Sequence, residues 1–160
     1  MVWPSAYEYE YEYEYESREA ALSRTPRQIF ESCVYAGAVT RNADAFAENF
    51  TVDGVFEAPL VPVDAAFPRR LVGREEIRGG MAAYYERQAK DLRSPNLEKS
   101  QYVLHTTADP DVFIAEIDTV FDGDGDGNAG DVAVSLVQIF RIRDGKIARL
   151  RDYFGPELMS

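Results

Sequence analysis

DVAVSLVQIFRIRDGKIARLRDYFGP, residues 131–156, decides the fold of this chain. Two runs of alternating apolar and polar residues flank Asp144-Gly145, a dipeptide that supplies the positive φ angles of a tight hairpin turn. The stretch therefore reads as two antiparallel strands. On the second strand, alternation places Ala148, Leu150, Asp152 and Phe154 on one face, opposite Ile147, Arg149, Arg151 and Tyr153. Asp152 thus shares a face with apolar neighbours. A carboxylate there costs free energy unless it is protonated, paired or hydrogen-bonded, which makes Asp152 a candidate for chemistry; the alternative is a solvated strand-end carboxylate paired to Arg149 or Arg151. Gln138, among Val134, Leu136 and Phe140 on the first strand, is a second polar residue on an apolar face. A buried amide needs partners, and a substrate oxygen is one.

The elements upstream of the hairpin follow from periodicity and end signals. Thr25-Pro26-Arg27-Gln28 opens a first helix with an N-cap, a proline at the first helical position and a glutamine able to close a capping box. Ile29, Phe30, Cys33, Val34 and Gly37 recur at helical spacing to about Arg41. Asn42 caps a short second helix over 43–49. Residues 51–58 read as a strand with a turn at Asp53-Gly54, and 59–71, with three prolines, as a loop or irregular edge. Gly73-Arg74-Glu75-Glu76 opens a third helix with acidic residues where the helix dipole favours them, and Ile77, Met81, Tyr84, Tyr85 and Gln88 form its inward stripe. Strands over 99–107 and 112–122 complete the set, joined by a turn at Asp109-Pro110-Asp111. The expected fold is α+β, a curved antiparallel sheet wrapped around N-terminal helices as a cone-shaped barrel with a mouth.

Length and charge bound the possibilities. A chain of 160 residues with 46% hydrophobic residues fits one domain, over 25–160, preceded by a low-complexity tail over 1–24. The tail's YEYEYEYEYE run offers no core or helical period and reads as disordered. Its alternation also permits an extended strand with Tyr7, Tyr9, Tyr11, Tyr13 and Tyr15 on one face. Trp3 lies in this tail and is assigned no role. The net charge is −11, of which five charges come from Glu8, Glu10, Glu12, Glu14 and Glu16 of the repeat and four from Asp122, Asp124, Asp126 and Asp131, leaving a nearly balanced body. No basic patch interleaved with aromatics points to nucleic acid. No leader or membrane span is visible, so a cytoplasmic location is the default expectation. The one cysteine, Cys33, excludes an internal disulfide and reads as a small core residue. The loop DGDGDGNAGD begins like a calcium-binding loop but has Ala133 where a bidentate Glu is required, so a solvated hairpin loop is expected and no metal.

The order of elements, together with L-V-G-R-E-E-I before the third helix and R-I-R-D-G-K-I-A-R-L-R-D-Y-F-G-P at the end, resembles the SnoaL-like branch of the nuclear-transport-factor-2-like superfamily over about residues 26–156. Two closer likenesses exist within the branch. Asp109-Pro110-x-x-Phe113-x-x-Glu116-x-Asp118 is similar to the phenazine-biosynthesis proteins of the PhzA/PhzB type. Asp118 with Asp152, and F-E-A-P-L-V-P before Gly73-Arg74, are similar to limonene-epoxide hydrolase. The resemblance implies a homodimer packed through the outer sheet face and a cone that takes a small apolar or amphipathic substrate. It also implies cyclase, isomerase or epoxide-opening chemistry without a metal or cofactor, although the superfamily includes members that only bind. Epoxide hydrolases of this type use an Asp-Arg-Asp triad with a Tyr and an Asn holding the water. Here Asp118 and Asp152 match the aspartates, but Glu116, Phe56 and Ala58 stand at the Arg, Tyr and Asn positions. The water-holding set is missing.

What survives is a carboxylate pair. Glu116 and Asp118 share a strand face with Val112, Ile114 and Val120, and if they share the cone with Asp152, one proton should be retained near neutral pH, separating an acid from a base. The structural alternative is a salt bridge from Glu116 or Asp118 to an arginine such as Arg74 or Arg141. His105, the single histidine, is a candidate general base or a surface residue. Tyr84, Tyr85, Tyr102, Gln138, Phe56 and Phe154 are expected to line the substrate pocket. The functional expectation is a cyclase or isomerase of polyketide-type metabolism, with Asp152 and Asp118 as acid and base and Glu116 tuning them. The alternatives are a non-catalytic binding or scaffold protein and an epoxide hydrolase.

Overall fold

The computed structural model describes Trp3 and residues 24–90, 93–125 and 129–155. The Tyr/Glu run and the Asp126-Gly127 part of the acidic loop lie outside the described residues. The first helix, α1 (Pro26–Val34), starts on the capping box expected from the sequence: the Gln28 amide N–H donates to Thr25 Oγ1 at 3.2 Å, and the Thr25 N–H donates to Gln28 Oε1 at 2.9 Å. It buries Ile29, Phe30 and Cys33. The helix then widens into a π-helical turn over Tyr35–Val39. A side chain at Gly37 would stand 3.2 Å from the Phe46 ring, so the small residue lets α2 (Ala43–Glu48) pack close. Asn42 caps α2 through its Oδ1, which accepts from the Ala45 N–H at 3.0 Å.

Six strands form one sheet: β1 (Phe50–Glu57), β2 (Arg70–Val72), β3 (Gln101–Thr106), β4 (Val112–Phe121), β5 (Val132–Arg143) and β6 (Lys146–Tyr153). Their order is β2-β1-β6-β5-β4-β3. The long helix α3 (Arg74–Arg87) follows β2. Asp144 and Gly145 both have positive φ, 52° and 74°, and close the β5–β6 hairpin as its sequence requires.

Residues 59–71, read as a loop or irregular edge, end in β2, an edge strand against β1. Two expectations need correction. The sheet is mixed, because β1 runs parallel to its neighbour β6. Asp53-Gly54 is not a turn but part of an irregularity inside β1. There the register against β6 jumps from Phe50↔Ile147 to Val55↔Arg149, and a Cβ at Gly54 would lie 3.0 Å from the carbonyl oxygens of Ile147 and Thr51.

The helices cover the concave face of the sheet. Phe30, Phe50, Phe56, Phe140, Ile77, Ile147 and Leu150 are each no more than 1% exposed and make the centre of the core. Side chains of this size contribute roughly 1.5–3 kcal/mol each on burial, before the entropy of ordering is counted. Phe113 stacks on Phe140 with ring centroids 4.6 Å apart, fixing which face of β4 points inward. On the convex face, Glu57 of β1 accepts from Arg149 at 2.9 Å and Arg151 at 2.9 Å, and pairs with Arg70 at 3.4 Å, tying three strands together. No helix among the described residues is long and apolar enough to cross a membrane.

Candidate active site

A cavity of about 210 Å³ opens between the concave face and the helices. Its walls are mostly aromatic and aliphatic. Phe67 sits at the centre of one wall, with ring centroids 5.9 Å from Phe56, 4.9 Å from Tyr84 and 5.1 Å from Phe154. Phe56, Tyr84, Gln138 and Phe154 border the cavity.

Asp152 reaches this cavity from β6 and faces Gln138 directly across the β5–β6 ladder. That pairing depends on a one-residue irregularity. The hairpin register runs Ile142↔Ile147 next to the turn and Arg141↔Arg149 beyond it, so Ala148 is an extra residue on β6. The bulge also explains why Ile147 is buried, contrary to simple alternation: Ile147 before it and Leu150, Asp152 and Phe154 after it all face inward.

The Asp152 side chain is partly open toward the cavity, but its Oδ1 is enclosed and has no hydrogen-bond partner from the protein. Burial pushes its carboxyl up to about 7, and a hydrogen bond from the Gln138 side chain holds it back only in part. Gln138 is itself 8% exposed, and its Oε1 has no protein partner. Cys33 borders the same space; burial and the neighbouring Asp152 carboxyl both push its thiol up, which keeps it unreactive. Burial likewise raises the phenols of Tyr84 and Tyr85. Tyr85 donates to the Gly37 carbonyl at 3.2 Å. Near neutral pH the cavity thus holds one carboxyl poised between its acid and base forms.

The pairing of Asp118 with Asp152 expected from the sequence does not form. β4 turns Phe113, Ala115 and Ile117 inward, so Glu116 and Asp118 project from the convex face. Asp118 accepts from Ser135 Oγ at 2.6 Å and from Gln101 Nε2 at 3.3 Å, and the serine bond followed by the glutamine bond holds its carboxyl below the usual range. Glu116 lies 2.7 Å from His105 Nε2, both of them well exposed, so His105 is also outside the cone. The sequence left this open because both faces of β4 are apolar. Tyr102 is a further correction. Its ring is 1% exposed and packs on Phe30, 4.7 Å between centroids, while its hydroxyl donates to Glu31. Burial, then that bond, push its phenol up to about 12. Glu31 also pairs with Arg27 at 2.8 Å. This group sits behind the cavity wall rather than in it.

Phe67 and Trp3 are among the cavity residues that sequence reasoning missed. Phe67 lies in the proline-rich segment, where no periodicity assigns it a side. Trp3, from the low-complexity tail, packs on Tyr102 at 4.7 Å and Phe30 at 5.2 Å and borders the cavity. Its being the single tryptophan beside a polar repeat was the available signal.

Comparison with known proteins agrees with this architecture. A SnoaL-like domain model matches residues 34–150. An uncharacterized PhzA/B-like protein of Pseudomonas aeruginosa is 31% identical over 130 residues, 79% of this chain and 83% of that protein. Among solved structures, a phenazine biosynthesis-related protein from Pseudomonas aeruginosa superposes with a TM-score of 0.59 at 19% identity, covering 89% of this chain and 91% of that one. An epoxide hydrolase/cyclase-like enzyme with a role in pyran ring formation in the polyether salinomycin superposes with a TM-score of 0.52 at 18% identity, covering 81% and 89%. At those identities the superpositions speak for the fold alone. The domain match and the 31% identical relative establish more: the chain belongs to the SnoaL-like family.

Proposed function

We propose that this protein is a cyclase or isomerase that moves a proton with Asp152 inside an apolar cone. One observation carries the reading: Asp152 borders a largely apolar cavity and carries an enclosed, unpartnered carboxyl oxygen, with its carboxyl pushed up to about 7. A carboxyl so placed is present in both forms near neutral pH. Its ionised form takes a proton from a carbon next to a carbonyl, the electron pair moves onto the carbonyl oxygen, and the resulting carboxylic acid returns the proton at a second position. Asp118 and Glu116, on the convex face, have no part in this step. Gln138 holds Asp152 in place through its amide N–H.

Ring closure by epoxide opening is the form of this chemistry that the walls favour over hydrolysis. Phe56 and Ala58, 1% and 0% exposed, stand where the resemblance to epoxide hydrolases implies a water-holding Tyr and Asn. An internal hydroxyl of the substrate gives its proton to the Asp152 carboxylate and attacks an epoxide carbon, the bond from that carbon to the epoxide oxygen breaks, and the resulting Asp152 carboxylic acid passes the proton to the released alkoxide. The name of the salinomycin enzyme, which joins epoxide hydrolase to cyclase, lends this form support.

The test uses 2-tetralone as a carbon-acid probe. In deuterated buffer, proton NMR follows loss of the signal at the carbon between ring and carbonyl. The wild type should speed this exchange above the buffer rate, with activity rising with pH through a midpoint near 7, and Asp152→Asn should lose about 100-fold or more of the catalysed rate. Equal catalysed exchange by Asp152→Asn would remove Asp152 from the chemistry.

A further inference from the structure

Among the described residues, four buried side-chain polar atoms have no hydrogen-bond partner from the protein, and three of them, Trp3 Nε1, Gln138 Oε1 and Asp152 Oδ1, belong to residues that border one cavity. Folded proteins satisfy nearly all such atoms, so their convergence on one space is informative. Their chemistry is also divided. The indole N–H can only donate, and an amide oxygen can only accept. The two kinds lie at different places along the sheet: Trp3 is stacked on Tyr102 of β3, while Gln138 and Asp152 are partners on β5 and β6. β4 separates β3 from β5, so about two strand spacings, roughly 10 Å, lie between the strands involved.

We propose that Trp3 is a ligand-contacting residue of this site, whose indole N–H binds an acceptor oxygen on one end of the ligand while Gln138 Oε1 accepts from a hydroxyl on the other, whose oxygen accepts in turn from the Asp152 carboxyl in its protonated form. The ligand is then a flat, largely apolar molecule carrying a carbonyl or ether oxygen and a separate hydroxyl. A single carboxyl group does not meet this pattern, because it cannot serve two strands two spacings apart and brings negative charge against Asp152. The aromatic wall of Phe56, Phe67, Tyr84 and Phe154 suits the flat body. The inference rests on the cavity's being the substrate site, as in the function proposed above, and adds what that substrate must carry and which residue reads its far end. It also gives Trp3, the one tryptophan of the chain, a reason to pack on Phe30 and Tyr102 beside the cavity.

Calorimetric titration with four bicyclic probes separates the elements of the pattern. Tetralin carries neither group, 1-tetralone the carbonyl only, 5,6,7,8-tetrahydro-2-naphthol the hydroxyl only, and 6-hydroxy-1-tetralone both. Each matched group should tighten binding about fivefold, so that 6-hydroxy-1-tetralone binds best. Trp3→Phe keeps an aromatic ring on Phe30 and Tyr102 but removes the N–H. It should abolish the gain from the carbonyl in both ketones and leave tetralin and the tetrahydronaphthol unchanged. Gln138→Leu should do the converse, removing the gain from the hydroxyl while the carbonyl gain stays. A carbonyl gain that survives Trp3→Phe overturns the proposal, as does a loss equal for all four probes, which would make Trp3 a wall only. Failure of every probe to bind, tetralin included, would overturn it together with the cavity's role as a substrate site. Binding without any gain from the polar groups would overturn only the pattern.

Discussion

Replacing Asp152 by Asn removes a charge while keeping the shape of the side chain and an oxygen for the Gln138 amide to donate to. The consequence for stability depends on pH in a way that can be worked out. The folded protein holds the Asp152 carboxyl at about 7 instead of its ordinary 3.8, because burial disfavours the carboxylate. Between those two values the folded state keeps a proton that the unfolded chain has released, so stability falls as pH rises through this window and levels off above 7. Roughly three pH units at about 1.4 kcal/mol each put the full cost of the ionised form near 4 kcal/mol. Water reaching the open side of the carboxyl relieves part of it, so the expected figure is about 2–4 kcal/mol. Asp152→Asn should therefore be more stable than the wild type by about that amount at pH 8–9, and the advantage should shrink to near zero around pH 4. Urea denaturation of both proteins at intervals between pH 4 and pH 9 measures the difference directly. Parallel stability curves, or a variant less stable at pH 9, would show that the carboxylate is not held in an apolar setting, and the case for Asp152 as an acid/base group would fall with it.

The same variant should also lose the catalysed proton exchange of 2-tetralone, so that one substitution raises stability and lowers activity. Asp118→Asn and Glu116→Gln, both on the convex face, should leave that exchange within about twofold of wild type, as surface changes away from a site do; a tenfold loss in NMR-monitored exchange would bring them back into the chemistry. Gly54→Ala puts a Cβ 3.0 Å from the Ile147 and Thr51 carbonyl oxygens, which are backbone and cannot swing aside. It should cost about 1–3 kcal/mol in denaturant midpoint experiments, and a neutral result would mean that the β1 irregularity relaxes freely.

Much of the fold was legible because its signals are local. The Thr25 capping box, the Asn42 cap and the Asp144-Gly145 turn each rest on three or four adjacent residues, and each forms as its sequence requires. What escaped was set by contacts between distant segments. Nothing near Phe50 or Val55 announces that β1 pairs in parallel with β6, since the partner strand lies more than ninety residues away. Phe67 and Trp3 gain their places from surfaces built by other elements, and their own neighbours in sequence carry no period from which a side could be assigned.

The candidate site shows the same division more sharply, because Asp152 was reached from alternation and Asp118 lost to it. On β6 one face is polar at Arg149, Arg151 and Tyr153, so Asp152 had to join Leu150 and Phe154. On β4 both faces are apolar, Val112 and Ile114 against Phe113 and Ile117, and parity had no anchor. The cross-strand partners settle it: residues directly opposite share a face, so Asp118 goes with outward Ser135 and Asp152 with inward Gln138. Even this last pairing is not what a regular hairpin gives. A two-residue turn continued without interruption would set Gln138 opposite Arg151; the extra residue at Ala148 moves Asp152 into that place. The residue around which the proposed chemistry turns thus owes its facing partner to a single bulge, placed between a turn that the sequence specifies and an aspartate whose side it specifies equally well. Bulges next to active sites commonly re-aim a side chain in this way, and here the consequence is concrete, because only the shifted register gives the raised carboxyl an amide to hold it.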